Sequence, residues 1–295
     1  MPVFEIGQAI FVLTLRKDND LAVPPSPIQD EIAAILFDKD GTLADAGPFL
    51  RQLAISRARA CAEALFRPSS VQAQEYYNAL CVAFGVIEAG LDPNRLMAVG
   101  TRTANEQSAV ELFMAMGGTE DEAKRLVPES FMAVDSAVTL KAAQTPPFAG
   151  TEAMLLELRQ SSIKVGILSS DSTAHVMEFL HYYGFTRYVD EWRGTEPGEK
   201  AKPHPELFWE LCDRLRVNPQ QTLMVGDSWA DLEVAHNAGA AAFVSVGEPW
   251  GRSSVPGADL VIANWGDLLD IAMGSDRLHH CSQTVHPADA GPMKD

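Results

Sequence analysis

An apolar run, Ile32-Ala33-Ala34-Ile35-Leu36-Phe37, stops abruptly at Asp38-Lys39-Asp40-Gly41-Thr42-Leu43. A short apolar run ending in a polar Gly turn reads as a strand buried on both faces of a parallel sheet. Open α/β sheets collect their chemistry beyond the carboxyl ends of the strands. Asp38 and Asp40 therefore stand where ligands bind. Uncompensated buried charge is costly, so two acids at a strand tip call for a positive partner, and a divalent metal is the simplest.

The remaining strand signals set the organisation. Pro48 to Pro147 lacks comparable β-rich runs and reads as helical, with segments at Phe49–Phe66, Val71–Phe84, Thr103–Met116 and Asp121–Leu126. The α/β rhythm then resumes. Helices are expected over Glu152–Gln160, Thr173–Tyr183, Pro205–Leu215 and Trp229–Ala238, and strands at Lys164–Leu168, Tyr188–Arg193, Thr222–Val225, Ala242–Val246 and Leu260–Ala263. Such alternation implies right-handed crossovers and a parallel sheet. We expect an N-terminal extension and linker over 1–30, a catalytic core built from 31–47 and 148–274, a helical insertion over 48–147, and a tail over 275–295.

Charge and cysteine usage exclude several classes. The formal charge of −17, from 40 acidic and 23 basic residues, argues against a nucleic-acid backbone as partner. It also repels anionic substrates at long range, so a metal and a few cations must reverse the field locally. The four cysteines (Cys61, Cys81, Cys212, Cys281) are scattered, which fits a reducing, cytoplasmic setting without a disulfide framework or zinc site. No apolar stretch is long enough for a membrane span. The run Ala9–Leu15 lacks a basic n-region and reads as an extra strand or extension rather than a signal peptide. His279, His280, Cys281 and His286 in the tail receive no function.

Three further strand tips carry polar clusters. Ser169-Ser170-Asp171-Ser172 opens a helix, where hydroxyls beside free N–H groups form an anion cradle, although alone they would pass for an N-cap. Lys200-Ala201-Lys202-Pro203 places lysines in a Pro-rigid loop. Gly226-Asp227-Ser228-Trp229-Ala230-Asp231 follows an apolar strand, with Asp231 in the first helical turn projecting back toward the tip.

Taken in this order, the four clusters resemble the motifs of the haloacid dehalogenase-like superfamily: D-x-D-G-T at Asp38–Thr42, Ser169, Lys202 (less well Lys200), and G-D-x-x-x-D at Gly226, Asp227 and Asp231. The resemblance spans about Ala33 to Leu269 and implies a Rossmann-like α/β fold with an inserted α-helical cap, similar to the phosphoglycolate phosphatase-like branch. It implies further that Asp38 is the nucleophile of an aspartyl-phosphate pathway and that Asp40 protonates the leaving oxygen and then activates water. Mg²⁺ would be held by Asp38, the Asp40 carbonyl and Asp227. Lys202, Ser169 and Ser170 would bind the phosphoryl oxygens, Asp231 would support the metal or orient Lys202, and Thr42 would shape the turn.

The second acid points to phosphoryl transfer, because dehalogenases of the superfamily lack this pair. The expected activity is Mg²⁺-dependent hydrolysis of a small phosphorylated metabolite, with phosphoglycolate one candidate. A phosphomutase and a catalytically silent interaction protein are the alternatives. A phosphonate-cleaving role is disfavoured, since 49–123 holds no lysine and only Lys124 and Lys141 follow near the insertion's end. An EF-hand starting at Asp38 fails because Thr42 and Leu43 occupy its fifth and sixth positions. Arg102 and Asn105 are candidate contacts to the leaving group, weighed against a plain helix N-cap with a surface arginine. The sequence does not speak to oligomeric state.

Overall fold

The computed structural model describes residues 31–88, 90–92, 95–247 and 253–274. The 1–30 extension and the 275–295 tail lie outside the described residues. In chain order the elements are β1 (Ala34–Phe37), α1 (Gly47–Leu65), α2 (Val71–Phe84), β2 (Val86–Ile87), β3 (Gly90–Leu91), α3 (Leu96–Val99), α4 (Arg102–Ala115) and α5 (Glu120–Ser136). They continue with α6 (Thr151–Gln160), β4 (Lys164–Leu168), α7 (Thr173–Tyr182), β5 (Glu191–Arg193), α8 (Glu206–Leu215), β6 (Thr222–Gly226), α9 (Trp229–Ala238), β7 (Ala242–Val246), β8 (Leu260–Ile262) and α10 (Trp265–Met273).

Six strands form one parallel sheet in the order β5-β4-β1-β6-β7-β8. This is the α/β, Rossmann-like architecture expected. Chain order reverses across β1, whose neighbours are β4 and β6, and that places the crevice of an open sheet at the β1 tip. All four β1 residues are buried, because helices cover both faces of the sheet. One apolar cluster gathers Ile35, Phe37 and Val225 with α6, α7 and α10; the other gathers Ala34, Leu36 and Met224 with α8 and α9. The period-two alternation of β1 thus feeds two cores from one strand. Helix α8 shows the complementary pattern, burying Leu207, Phe208, Leu211, Cys212 and Leu215 at helical spacing.

The α1–α5 segment builds a third apolar cluster, from Ala54, Ala58, Tyr76, Phe84, Phe113, Val127 and Phe131 among others. Two local departures from the sequence reading occur here. Helix α5 does not stop near Leu126 but runs through Pro128 to Ser136. Proline removes one helical hydrogen bond, yet burial of Ala123, Val127 and Phe131 along one stripe outweighs that loss. The small antiparallel β2–β3 ladder also interrupts a segment read as wholly helical. Near the sheet edge, β5 begins at Glu191 rather than Tyr188, since Phe185–Arg187 turns as a 3₁₀ helix first. No helix among the described residues is long and apolar enough to cross a membrane.

Candidate active site

Asp38 is the first residue past β1, and its N–H donates to the Val225 carbonyl at 2.9 Å, which seats it between the tips of β4 and β6. The chain then reverses through Gly41, whose φ of +99° is a conformation that side chains resist. Leu43 and Ala44 close the turn by donating to the Lys39 carbonyl at 3.0 and 2.9 Å. On the β6 side, the Thr42 hydroxyl donates to Asp227 Oδ1 at 3.3 Å, so the buried Thr42 tethers one acid-bearing tip to the other.

Lys202, from the loop between β5 and α8, reaches under this tip. Its Nζ lies 2.6 Å from Asp38 Oδ1 and 2.6 Å from Asp231 Oδ1, and donates to the Leu168 carbonyl at 3.2 Å. Three donors meet three acceptors, which is what a buried ammonium requires. Asp231 is held from its other side: its Oδ2 accepts from the Ser228 N–H at 3.1 Å and the Ser228 hydroxyl at 2.6 Å, within the capping box that starts α9. Gly226 is obligatory beside it, because a Cβ there would stand 2.5 Å from the Asp231 carboxylate. Lys200, the weaker sequence match, is exposed and pairs with Glu206 at 2.6 Å instead.

Charge at this tip is unbalanced. Asp38, Asp227 and Asp231 bring carboxylate oxygens within 4.8 Å of one another, around a single ammonium. Burial, reinforced by Asp231 and Asp227 and opposed by Lys202, pushes the Asp38 carboxyl up to about 8. Lys202 is raised as well: burial disfavours its charge, but Asp231 and Asp38 outweigh it and keep the ammonium protonated. A set of hard carboxylate oxygens with surplus negative charge fits a divalent cation such as Mg²⁺. Both Asp231 oxygens accept hydrogen bonds, one from Lys202 and one from Ser228, so within the acidic group Asp231 anchors the ammonium.

The other sequence candidates divide. Ser169 is buried at the β4 tip, and its hydroxyl accepts from the Asp171 N–H at 3.1 Å; Ser170 beside it is exposed. Arg102 pairs with Glu106 at 2.8 Å and Asp135 at 3.2 Å. Asn105 is 2% exposed, with its amide nitrogen donating to the Thr101 and Leu96 carbonyls at 2.8 and 3.2 Å. A side chain so enclosed braces the start of α4 and offers a leaving group no accessible atom.

Asp40 does not join the Asp38 cluster. Its Oδ1 meets Lys39 Nζ at 2.7 Å and its Oδ2 meets Lys141 Nζ at 2.8 Å. Asp171 Oδ2 completes the group, 3.1 Å from Lys39 and 2.6 Å from Lys141, and its Oδ1 lies 2.9 Å from His175 Nδ1. Burial alone would raise Asp40, but Lys141 and Lys39 together hold it below the usual carboxylate range; the same balance holds Asp171 well below it. Sequence reasoning passed over Lys39, Lys141 and Asp171. The available signal was Lys39 itself, a cation locked between two acids at the end of a buried strand.

Comparisons with known proteins identify the family. The family described as haloacid dehalogenase-like hydrolase matches residues 32–239, taking in all four strand-tip clusters. The phosphoglycolate phosphatase of Vibrio vulnificus is 26% identical over 84% of this chain and 99% of its own length. That of Pasteurella multocida is 31% identical over a shorter stretch, which spans 32% of this chain and only 42% of that protein. Among solved structures, one from Haemophilus somnus, described as a predicted phosphoglycolate phosphatase, superimposes with a TM-score of 0.59 at 24% identity, covering 82% of this chain and 99% of the other. A subfamily IA hydrolase of the superfamily from Geobacter sulfurreducens gives 0.52 at 20% identity, covering 82% and 96%. With a family model that matches residues 32–239, the chain belongs to the haloacid dehalogenase-like hydrolase family.

Proposed function

We propose that the protein is a Mg²⁺-dependent phosphatase that hydrolyses a small phosphorylated metabolite through an aspartyl-phosphate, with helices α1–α5 as the cap over its core. The observation that carries this reading is the buried Asp38 carboxylate, aligned by Lys202 at 2.6 Å and flanked by Asp227 and Asp231. Uncatalysed phosphate-ester hydrolysis is so slow that catalysis must supply ~20 kcal/mol or more, and splitting it into two displacements is an economical route.

Asp38 is the nucleophile. It attacks as the carboxylate, and Lys202 together with the metal would offset the burial that otherwise favours its protonated form. Asp38, Asp227 and the backbone carbonyl of Asp40 would hold Mg²⁺, which neutralises charge between carboxylate and phosphoryl group. Lys202, kept protonated by Asp38 and Asp231, neutralises the phosphoryl oxygens, and the Ser169 and Ser170 segment supplies further donors. Asp231 and Thr42 act through other groups, fixing Lys202 and Asp227 respectively. Asp40 donates a proton to the leaving oxygen and takes one from the attacking water, a role worth about 10²–10⁴-fold.

Relatives named phosphoglycolate phosphatase support a small anionic phosphate ester as substrate. Arg102 is proposed as the cap's contact to its leaving group. The test is phosphate release from a panel of small phosphate esters with Mg²⁺ and with EDTA, using Asp38→Asn as blank. Metal-dependent release that vanishes in the mutant is expected; release surviving in Asp38→Asn would mean a different nucleophile.

A further inference from the structure

Asp40 is gripped by an arrangement that neither the motifs nor the family match assigns. Lys39, Asp40, Lys141 and Asp171 form a closed ring of alternating charge, with contacts of 2.6–3.1 Å around it. Lys39 is 1% exposed and Lys141 8%, so both ammonium groups are withdrawn from water. Lys39 comes from the β1 tip, Asp171 from the β4 tip, and Lys141 from the segment that leads from α5 back to the sheet. The Lys141 ammonium also lies 5.4 Å from the centre of the Phe49 ring, at the start of α1.

A need for stability alone does not account for such a ring. Buried ion pairs gain little over apolar side chains of the same volume, because desolvation offsets most of the attraction. Their advantage is directional. Each Asp40 oxygen meets a different lysine, so rotation of the carboxylate breaks one contact or the other. Proton transfer demands a carboxylate held within about 0.5 Å of its working place.

We propose that Lys141 is a positioning residue for Asp40: with Lys39 it fixes the two carboxylate oxygens, and Asp171 holds both ammonium groups in register. The inference rests on the reading of Asp40 as the group that handles the leaving-group proton. In that step a proton taken up from solvent by the otherwise ionised Asp40 passes to the ester oxygen as the P–O bond breaks and the Asp38–phosphorus bond forms. In the second step, water attacks phosphorus, the Asp38–phosphate bond breaks, and the water's proton returns to Asp40. Lys141 touches neither reacting atom. It also joins the orientation of the acid to the returning end of the helical insertion.

The test uses Lys141→Met, which is one atom shorter, stays unbranched and removes the charge, with Lys141→Arg as the conservative variant. Two substrates separate the roles: an alkyl phosphate, whose alkoxide needs a proton to depart, and p-nitrophenyl phosphate, whose phenolate does not. We expect Lys141→Met to lose about 10²-fold in kcat on the alkyl ester with KM little changed. The pre-steady-state burst of nitrophenolate should survive, followed by slow turnover, because only the later water attack then needs Asp40. Lys141→Arg should recover part of the loss, and Asp171→Asn should show the same pattern. Equal losses on both esters, burst included, or no loss on either, would overturn the proposal.

A crystal structure of Lys141→Met supplies a readout independent of turnover. The Asp40 carboxylate is expected to leave its single orientation; finding it unmoved would also overturn the assignment. If the native enzyme cleaved neither ester, the phosphatase reading would fall, while the Asp40 orientation would still decide whether Lys141 positions it.

Discussion

Replacing Lys202 with Met tests how the Asp38 cluster is held together. The side chain keeps nearly its volume but loses the ammonium that joins Asp38, Asp231 and the Leu168 carbonyl. All of these partners are buried, so water cannot take over. Removing one partner of a buried pair typically costs about 3–5 kcal/mol. Burial already pushes the Asp38 carboxyl up to about 8, so near that pH part of the stranded charge can be discharged by protonation. That sets the expectation at the lower end, about 3 kcal/mol at pH 8 without divalent metal.

The sign of the pH dependence follows. In the variant, Asp38 loses the opposing Lys202 and sits further above its unfolded value than in the native protein, so its folded form keeps its proton to higher pH. Below about pH 8 the carboxyl is protonated in both proteins and the deficit should level off; above it the deficit should grow. The assay is calorimetric unfolding of both proteins in EDTA at about pH 6, 8 and 9.5. At about 2–4 °C per kcal/mol, the loss in Tm at pH 8 is about 6–12 °C. A deficit below about 1 kcal/mol at pH 8, or one that does not grow above pH 8, would refute the reasoning that Lys202 neutralises buried carboxylates.

Other expectations test the site from different directions. Gly226→Ala puts a methyl 2.5 Å from the Asp231 carboxylate and should cost about 1–3 kcal/mol, with reduced turnover; an unchanged Tm would show that α9 shifts freely. Mg²⁺ should raise the native Tm, equivalent to about 2.7 kcal/mol at a hundredfold excess over Kd. Asp227→Asn should lose most of that rise, and an equal rise in the variant would remove Asp227 from the metal site. Arg102→Ala, which also frees Asp135 of one partner, should lower kcat/KM on the best ester with the fold intact. Undiminished kcat/KM on every active ester would end the leaving-group role.

Much of this protein was legible in its residues. The strands that carry Asp38, Ser169 and Asp227 announced themselves as short apolar runs closed by Gly or Ser. A strand buried on both faces leaves no alternation to misread. The motifs sit one residue past those strands, so finding the strand ends found the tips. Helix ends were legible where local chemistry sets them, as with Ser70 capping α2 and Gly85 closing it in a left-handed conformation with φ of +89°. Where packing outweighed local preference, the reading faltered. The helical segment expected to end at Leu126 runs on through Pro128 to Ser136, because its buried stripe does.

Sequence alone could identify the ionisable groups but not who pairs with whom. Asp38 and Asp40 are two residues apart and looked like one acidic site. In three dimensions they face different cations: Lys202 takes Asp38, while Lys39 and Lys141 take Asp40. Lys141 is 101 residues from Asp40, and Lys202 is 164 from Asp38. Coulomb attraction at a few ångströms depends on the folded path and leaves no periodic trace in the chain. Asn105 makes the same point in reverse: a polar residue near a cap turn looked available, and only burial showed it spent on the backbone. Motif chemistry and fold class were thus properties of the residues themselves, whereas the order of strands across the sheet and the partition of charge between two neighbouring carboxylates were decided by tertiary contact.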